Sequence, residues 1–254
     1  QMAHMLACSS EFQLAGLIAV TGKYLRPEHK VPYRQKLHPE LFTQLIDSYA
    51  KVYPNLKLHA ANWPAPEYLH GIVASGQTGY GIAATGEGKA SAGSRLIIDA
   101  VTKADVRPVH IVVNAGANTL AQALRDYRAT HSAAELKAFV AKLRVFENGA
   151  QDNSGAWICH EFPDLFWVRS NFQTYCFGGP SNTELGPHTW KPYAYSPDGQ
   201  DAWAAENVRT NHGALGELYP VRSMGNQIHF LEGGGTIPWM GLVCHGLTDS
   251  AEPS

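Results

Sequence analysis

The sequence predicts an α/β protein: a mostly parallel sheet with helices on both faces, carried by one domain over residues 1–254. Three observations lead there. Between residues 14 and 168, short apolar runs alternate with segments of helical periodicity, the order from which parallel sheets are built. The apolar runs are unbroken instead of alternating with polar residues, as suits strands covered on both faces. Finally, 254 residues with 44% hydrophobic and 17% charged side chains are enough to bury a sizeable core.

In chain order, Met2, Met5 and Leu6 keep helical spacing, so the chain reads as starting inside a helix that no cap residue precedes. Residues 14–20 form the first apolar strand. A helix feeding such a strand normally follows another strand, so an earlier strand is expected upstream of Gln1. Residues 40–51 read as a helix, 55–60 as a short strand, and the stretch from Pro64 into Val73 as a turn and helix. Residues 76–88 are a glycine-rich loop, and 94–103 a helix opened by Gly93 and Ser94. Residues 108–113 are the second apolar strand. Asn118 is placed as the N-cap of a helix over 119–127, and Ser132 as the cap of another over 133–142. Residues 143–146 and 165–168 are the third and fourth strands, with a short helical turn over 157–162 between them. From about 172 to 221 the pattern gives way to a Gly-, Pro-, Asn- and Tyr-rich stretch with one helix over 201–207. A stretch that irregular reads as a functional insertion. The chain ends in a loop.

Composition removes several functional classes. A net charge of −2 gives no electrostatic footprint for nucleic acid or an anionic membrane, so neither is an expected partner. No apolar run approaches the roughly 18 residues of a membrane-spanning helix. Cys8, Cys159, Cys176 and Cys244 form no CxxC pair, which excludes the usual zinc spacings. Buried free thiols are expected, with a Cys159–Cys176 disulfide as the alternative. The motifs GxSxG and HExxH are absent. The stretch Thr85-Gly-Glu-Gly-Lys-Ala-Ser91 fails as a phosphate loop because Ala83 and Ala90 stand where Gly and Ser or Thr are needed.

Ligands of an open α/β sheet bind outside the carboxyl ends of its strands. Those ends carry Thr21, the turn Asn114-Ala-Gly-Ala-Asn118, the run Glu147-Asn-Gly-Ala-Gln-Asp152-Asn153, and Asn171. Amides, hydroxyls and carboxylates there suit a polyhydroxylated ligand, although such residues also populate ordinary loops. Thr21, Asn114, Asn118 and Asn171 are therefore candidate ligand-binding residues, and Asp152 a candidate catalytic carboxylate. Glu232 precedes three glycines after an apolar run, which makes it a second catalytic candidate or equally a solvated loop residue. His212, in the irregular stretch, is a candidate ligand contact.

Several segments carry a resemblance: Gly86-Glu-Gly-Lys, the run from Arg107 to Leu124, Asp152-Asn-Ser-Gly-Ala-Trp-Ile158, Phe162-Pro-Asp-Leu-Phe166, and Glu232-Gly-Gly-Gly-Thr-Ile-Pro-Trp239. Together they resemble the cellulose-binding, nucleoside-hydrolase-like family across essentially the whole chain. The resemblance implies a nucleoside-hydrolase-type fold, carbohydrate metabolism and a secreted or periplasmic location in bacteria. It also implies Ca²⁺, held in true nucleoside hydrolases by an Asp-rich loop that would fall upstream of Gln1, with the Ala115 backbone carbonyl as a further ligand. A late aspartate of that site aligns with Gly235. The expected function is hydrolysis of a glycosidic bond in an N-riboside-like or other sugar-containing small molecule, metal-assisted in a longer parent. The alternative is a non-catalytic carbohydrate- or polysaccharide-binding protein, with Trp190, Tyr193, Tyr195 and Trp203 stacking on sugar rings. A third expectation is a structural module.

Overall fold

A computed structural model of the chain describes residues 2–28, 30–170 and 205–219, together with 223–224, 228–229, 235, 239 and 242–243. The elements begin with α1 (Met2–Ala7), β1 (Leu17–Ala19), α2 (Glu40–Leu56), α3 (Pro66–Gly71) and β2 (Val73–Ser75). Next come α4 (Ala92–Thr102), β3 (Val109–Val113), α5 (Asn118–Thr130), α6 (Ala133–Ala141), β4 (Leu143–Asn148), α7 (Ser154–Glu161) and β5 (Phe166–Ser170). A π-helical turn (Ala205–Arg209), α8 (Gly213–Glu217), β6 (Ser223–Met224) and β7 (Ile228–His229) follow. Among the described residues no helix is long and apolar enough to cross a membrane. The chain forms two compact units: a sheet unit of 14–43 and 69–170, and a second unit of 1–13, 44–68 and 171–254.

In the sheet unit every strand pairing is parallel, as the strand/helix alternation predicts. β1 pairs with β2 from Leu17↔Val73, and β3, β4 and β5 pair in that order from Val109↔Leu143 and Arg144↔Phe166. All four predicted strands of this unit exist. β2 was not expected, because three residues following directly on a helical pattern give too short a signal. The runs are also less enclosed than unbroken apolarity implies. Ile111 and Val112 are half-buried and only Val113 of β3 is fully buried, since β3 has β4 alone as its described ladder neighbour.

The core lies between the β3–β4–β5 ladder and its helices. Leu143 and Val145 of β4 are fully buried against Leu120, Ala121, Ala123 and Leu124 of α5, Ile97 and Val101 of α4, and Ile158 of α7. Burying each large aliphatic side chain contributes about 1.5–3 kcal/mol. The alanines of α5 let neighbouring helices approach, and Tyr127 stacks on Phe139 of α6 with ring centroids 4.1 Å apart. α4 and α6 are closed by reciprocal capping boxes, Ser91 with Ser94 and Ser132 with Glu135, each satisfying two backbone donors that the first helical turn leaves open.

Three local expectations are corrected. Residues 55–60 are not a strand: α2 runs to Leu56 and the chain leaves it through turns, leaving Leu58 82% exposed. The buried Ile46 and Tyr49, one turn apart, hold that segment as a helix. Residues 157–161 belong to a longer helix, α7, and Phe162 is its C-cap. Asn118 does not cap α5. Ala117 takes that position without a side-chain bond, and Asn118 turns its amide to the sheet.

In the second unit, Leu6, Ile46 and Tyr49 are fully buried. The Tyr49 hydroxyl donates to the Pro64 carbonyl at 2.9 Å, and burial pushes its pKa up to about 12. His4 lies 5.1 Å from the Tyr219 ring, and burial brings its pKa down to about 4. Of the helix expected over 201–207, the described residues 205–207 lie in the π-helical turn, and 201–204 lie outside the described residues. Most of the 172–221 stretch lies outside the described residues. Of the thiols, Cys159 is free and exposed on α7 and Cys8 is half-buried. The expected burial of Cys159 is thus corrected; Cys176 lies outside the described residues.

Candidate functional site at the carboxyl edge of the sheet unit

Just past β1 and β3 the two ladders meet, where the Gly116 N–H donates to the Thr21 carbonyl at 2.6 Å. Around that bond the predicted residues converge. The Asn118 amide donates to Thr21 Oγ1 at 3.0 Å and to the Gly79 carbonyl at 2.8 Å, while the Thr21 hydroxyl donates to the same Gly79 carbonyl at 3.0 Å. Both side chains are fully buried. Thr21 and Asn118 thus latch the loop after β2 over the strand ends, and their donors face protein. The loop is held further along as well. Gln122 accepts from the Gly86 N–H at 2.8 Å and donates to the Gly86 carbonyl at 2.9 Å, replacing a strand neighbour with one amide side chain. This explains the glycine-rich stretch without a phosphate.

Asp152 is 6% exposed, and its Oδ1 accepts from the Ser154 N–H at 2.8 Å, at the start of α7. Its Oδ2 has no hydrogen-bond partner and packs on Gly116, where any Cβ would collide with it and come within 2.6 Å of the Thr21 carbonyl oxygen. Only glycine fits there. A buried carboxylate oxygen without a partner costs free energy that a ligand donor or a water would recover.

Glu147, which the sequence marks only as a strand end, is the second carboxylate of this region. It is paired in register with Arg169 on β5, and Arg169 Nε donates to its Oε2 at 2.5 Å. The side chain is wholly buried beneath Gly155 of α7; a Cβ on that glycine would approach Glu147 Oε1 to 2.8 Å. Burial raises the Glu147 pKa above the usual carboxylate range, and the Arg169 guanidinium works against that shift. Its enclosure under α7 gives it a packing role.

The accessible part of the edge is a run of half-buried amides. Asn148 Nδ2 donates to Asn114 Oδ1 at 3.2 Å, and Gln151 Nε2 donates to the Asn114 carbonyl at 2.8 Å. The Tyr80 hydroxyl donates to the Gln151 carbonyl at 3.1 Å and accepts from Arg26 Nε at 3.2 Å. The Arg26 guanidinium lies 5.4 Å from the centroid of the Tyr80 ring. Asn148, Gln151, Tyr80 and Arg26 were not singled out from the sequence. Asn148 and Gln151 stood in the strand-end run, whereas Tyr80 and Arg26 lie in loops far away in the chain.

The other candidates fall elsewhere. Ala115 is half-buried in the turn after β3, beside Gly22. His212 belongs to the second unit, where it precedes α8 and its Nε2 lies 2.7 Å from the Glu206 carbonyl. Asn171, Glu232 and the aromatics at 190, 193, 195 and 203 lie outside the described residues. The described donors at the sheet edge do not by themselves fit Ca²⁺. That cation takes about six to eight oxygens, several from carboxylates. Among the described residues this edge offers two carboxylates, Asp152 and Glu147, and one oxygen of Glu147 is already held by Arg169. Among the described residues no group of three or more His, Cys, Asp or Glu side chains could hold a metal.

Comparison with known proteins agrees with this architecture. The family described as cellulose-binding Sde182, nucleoside hydrolase-like domain matches residues 1–254. A solved structure of a nucleoside hydrolase-related protein from Saccharophagus degradans, associated with carbohydrate metabolism, is similar with a TM-score of 0.71 and 35% identity. The similarity covers 88% of this chain and 47% of that one, so the chain spans about half the length of that relative. No curated protein matches the chain.

Proposed function

The chain belongs to the cellulose-binding Sde182, nucleoside hydrolase-like family, and from that premise we propose that it is a carbohydrate-binding protein whose ligand docks at the carboxyl edge of the sheet unit. The observation that carries this reading is the half-buried amide run Asn114–Asn148–Gln151, an array suited to the donor-and-acceptor character of sugar hydroxyls. The relative's association with carbohydrate metabolism points the same way. A polysaccharide ligand would also place the protein outside the cytoplasm. Calorimetric titration with cellohexaose, beside inosine and uridine, tests this. Binding of the glucan and not of the nucleosides supports it; binding of the nucleosides alone, or of none of these, overturns it.

A second reading, hydrolysis of a glycosidic bond, is favoured by one observation: the buried Asp152 Oδ2 without a partner. A carboxylate held against Gly116 could accept a proton from an attacking water, the general-base half of glycoside hydrolysis. Reducing-sugar release from cellohexaose, or ribose release from a nucleoside, lost in Asp152→Asn while the fold persists, supports this reading. Release that survives the substitution removes Asp152 from it.

A further inference from the structure

The accessible amide run carries an asymmetry in its hydrogen bonding that bears on the ligand. Asn148 and Gln151 use their N–H groups on Asn114, and this leaves Asn148 Oδ1 and Gln151 Oε1 without a protein partner among the described residues. Gln151 Oε1 lies over Gly22, where a Cβ would approach it to 3.0 Å, so the glycine leaves room beside that oxygen. At the other end of the run, Arg26 uses Nε on Tyr80, so its terminal N–H groups are left as donors on an exposed side chain. Tyr80 joins the two ends through its bonds to Gln151 and Arg26. The surface thus presents anchored acceptors beside exposed cationic donors.

We propose that Asn148, Gln151, Tyr80 and Arg26 form a specificity surface for a neutral polyol, the vicinal hydroxyls of an uncharged sugar, and that it discriminates against acidic sugars. The inference rests on the carbohydrate-binding reading and adds the residues and the ligand's charge to it. A hydroxyl can donate to an amide oxygen while its own oxygen accepts from Arg26, so a vicinal diol satisfies both ends of the run. A carboxylate or phosphate would pair with Arg26 but set its lone pairs against the acceptors Asn148 Oδ1 and Gln151 Oε1, which have nothing to give it. Leaving those half-buried acceptors unpaired is the costlier outcome, because polar sites discriminate most strongly through groups stranded by the wrong ligand. The amides are anchored by bonds to the strand ends, so little side-chain freedom is lost when a ligand is held.

The test is calorimetric titration of the full chain and its variants with cellohexaose, and with an oligogalacturonate of matched length. The expected result is binding of cellohexaose at least about tenfold tighter than of the oligogalacturonate, with Gln151→Ala and Arg26→Ala each weakening the glucan by about five- to tenfold. Melting temperatures of both variants should stay near that of the parent, which separates a lost contact from a lost fold. Glucan binding that both substitutions leave unchanged overturns this inference while the carbohydrate-binding reading stands. Preference for the oligogalacturonate overturns the neutral-ligand assignment. If neither saccharide binds, the underlying reading falls and this inference with it.

Discussion

Two regions of one sheet edge use the same residue types to opposite ends. In the latch, Asn118 and Thr21 turn their donors onto Gly79, and both are fully buried. In the open run, Asn148 and Gln151 likewise use only their N–H groups, on Asn114, and their side chains are half-buried. An asparagine at a strand end is therefore no guide to its role until its hydrogen bonds are traced. Asn118 Oδ1 is an unused acceptor too, but it is buried, so what sets the run apart is that its unused oxygens belong to half-buried side chains that a ligand can reach. The two carboxylates each keep one buried oxygen without a partner, Glu147 Oε1 and Asp152 Oδ2, and differ in what holds the other: the Arg169 guanidinium for Glu147, the Ser154 N–H for Asp152.

The comparison breaks most decisively at the junction of the latch. Gly116→Val should cost about 3 kcal/mol of stability, because its side chain would overpack against the Thr21 carbonyl and an Asp152 already tied to the Ser154 N–H. Urea denaturation measures this; a variant as stable as the parent would show that the ladders are not joined there. A smaller effect separates latch from run directly. Asn118→Ala removes two buried hydrogen bonds and should cost about 2 kcal/mol, whereas Gln151→Ala should cost about 0.5 kcal/mol. Equal losses in the same denaturation series would erase the distinction.

The smallest expected effect concerns pH. Burial raises the folded-state pKa of Glu147, so the folded protein holds that proton more tightly than the unfolded chain. The resulting stabilisation is fully present below the ordinary glutamate value of 4.5 and is lost as pH rises through the raised folded value. Glu147→Gln keeps the shape and removes the titration. The stability of the parent relative to this variant should therefore fall as pH rises from 4.5 into the neutral range. Thermal melts at a series of pH values check this, and a difference that rises with pH would mean that the Arg169 pairing outweighs burial.

What the sequence determined by itself is the architecture. Apolar runs separated by helical periodicity were enough to make β1, β3, β4 and β5 parallel strands, but not to pair them: the one sheet expected is two ladders, with β1 on the unexpected β2 and apart from β3–β4–β5. Capping was legible where it is local, as at Ser132, whose partner Glu135 is three residues away. It was misread at Asn118, because the competing partners Thr21 and Gly79 lie 97 and 39 residues distant. The same limit explains the candidate site. The strand-end rule named Thr21, Asn114, Asn118 and Asp152, and the structure brings them to one edge. Which of those side chains are closed off, and that Tyr80 and Arg26 join the open run, depended on where the loop after β2 settles. Tertiary structure decides such matters because a hydrogen bond goes to the nearest partner in space, and sequence periodicity records only which faces are buried.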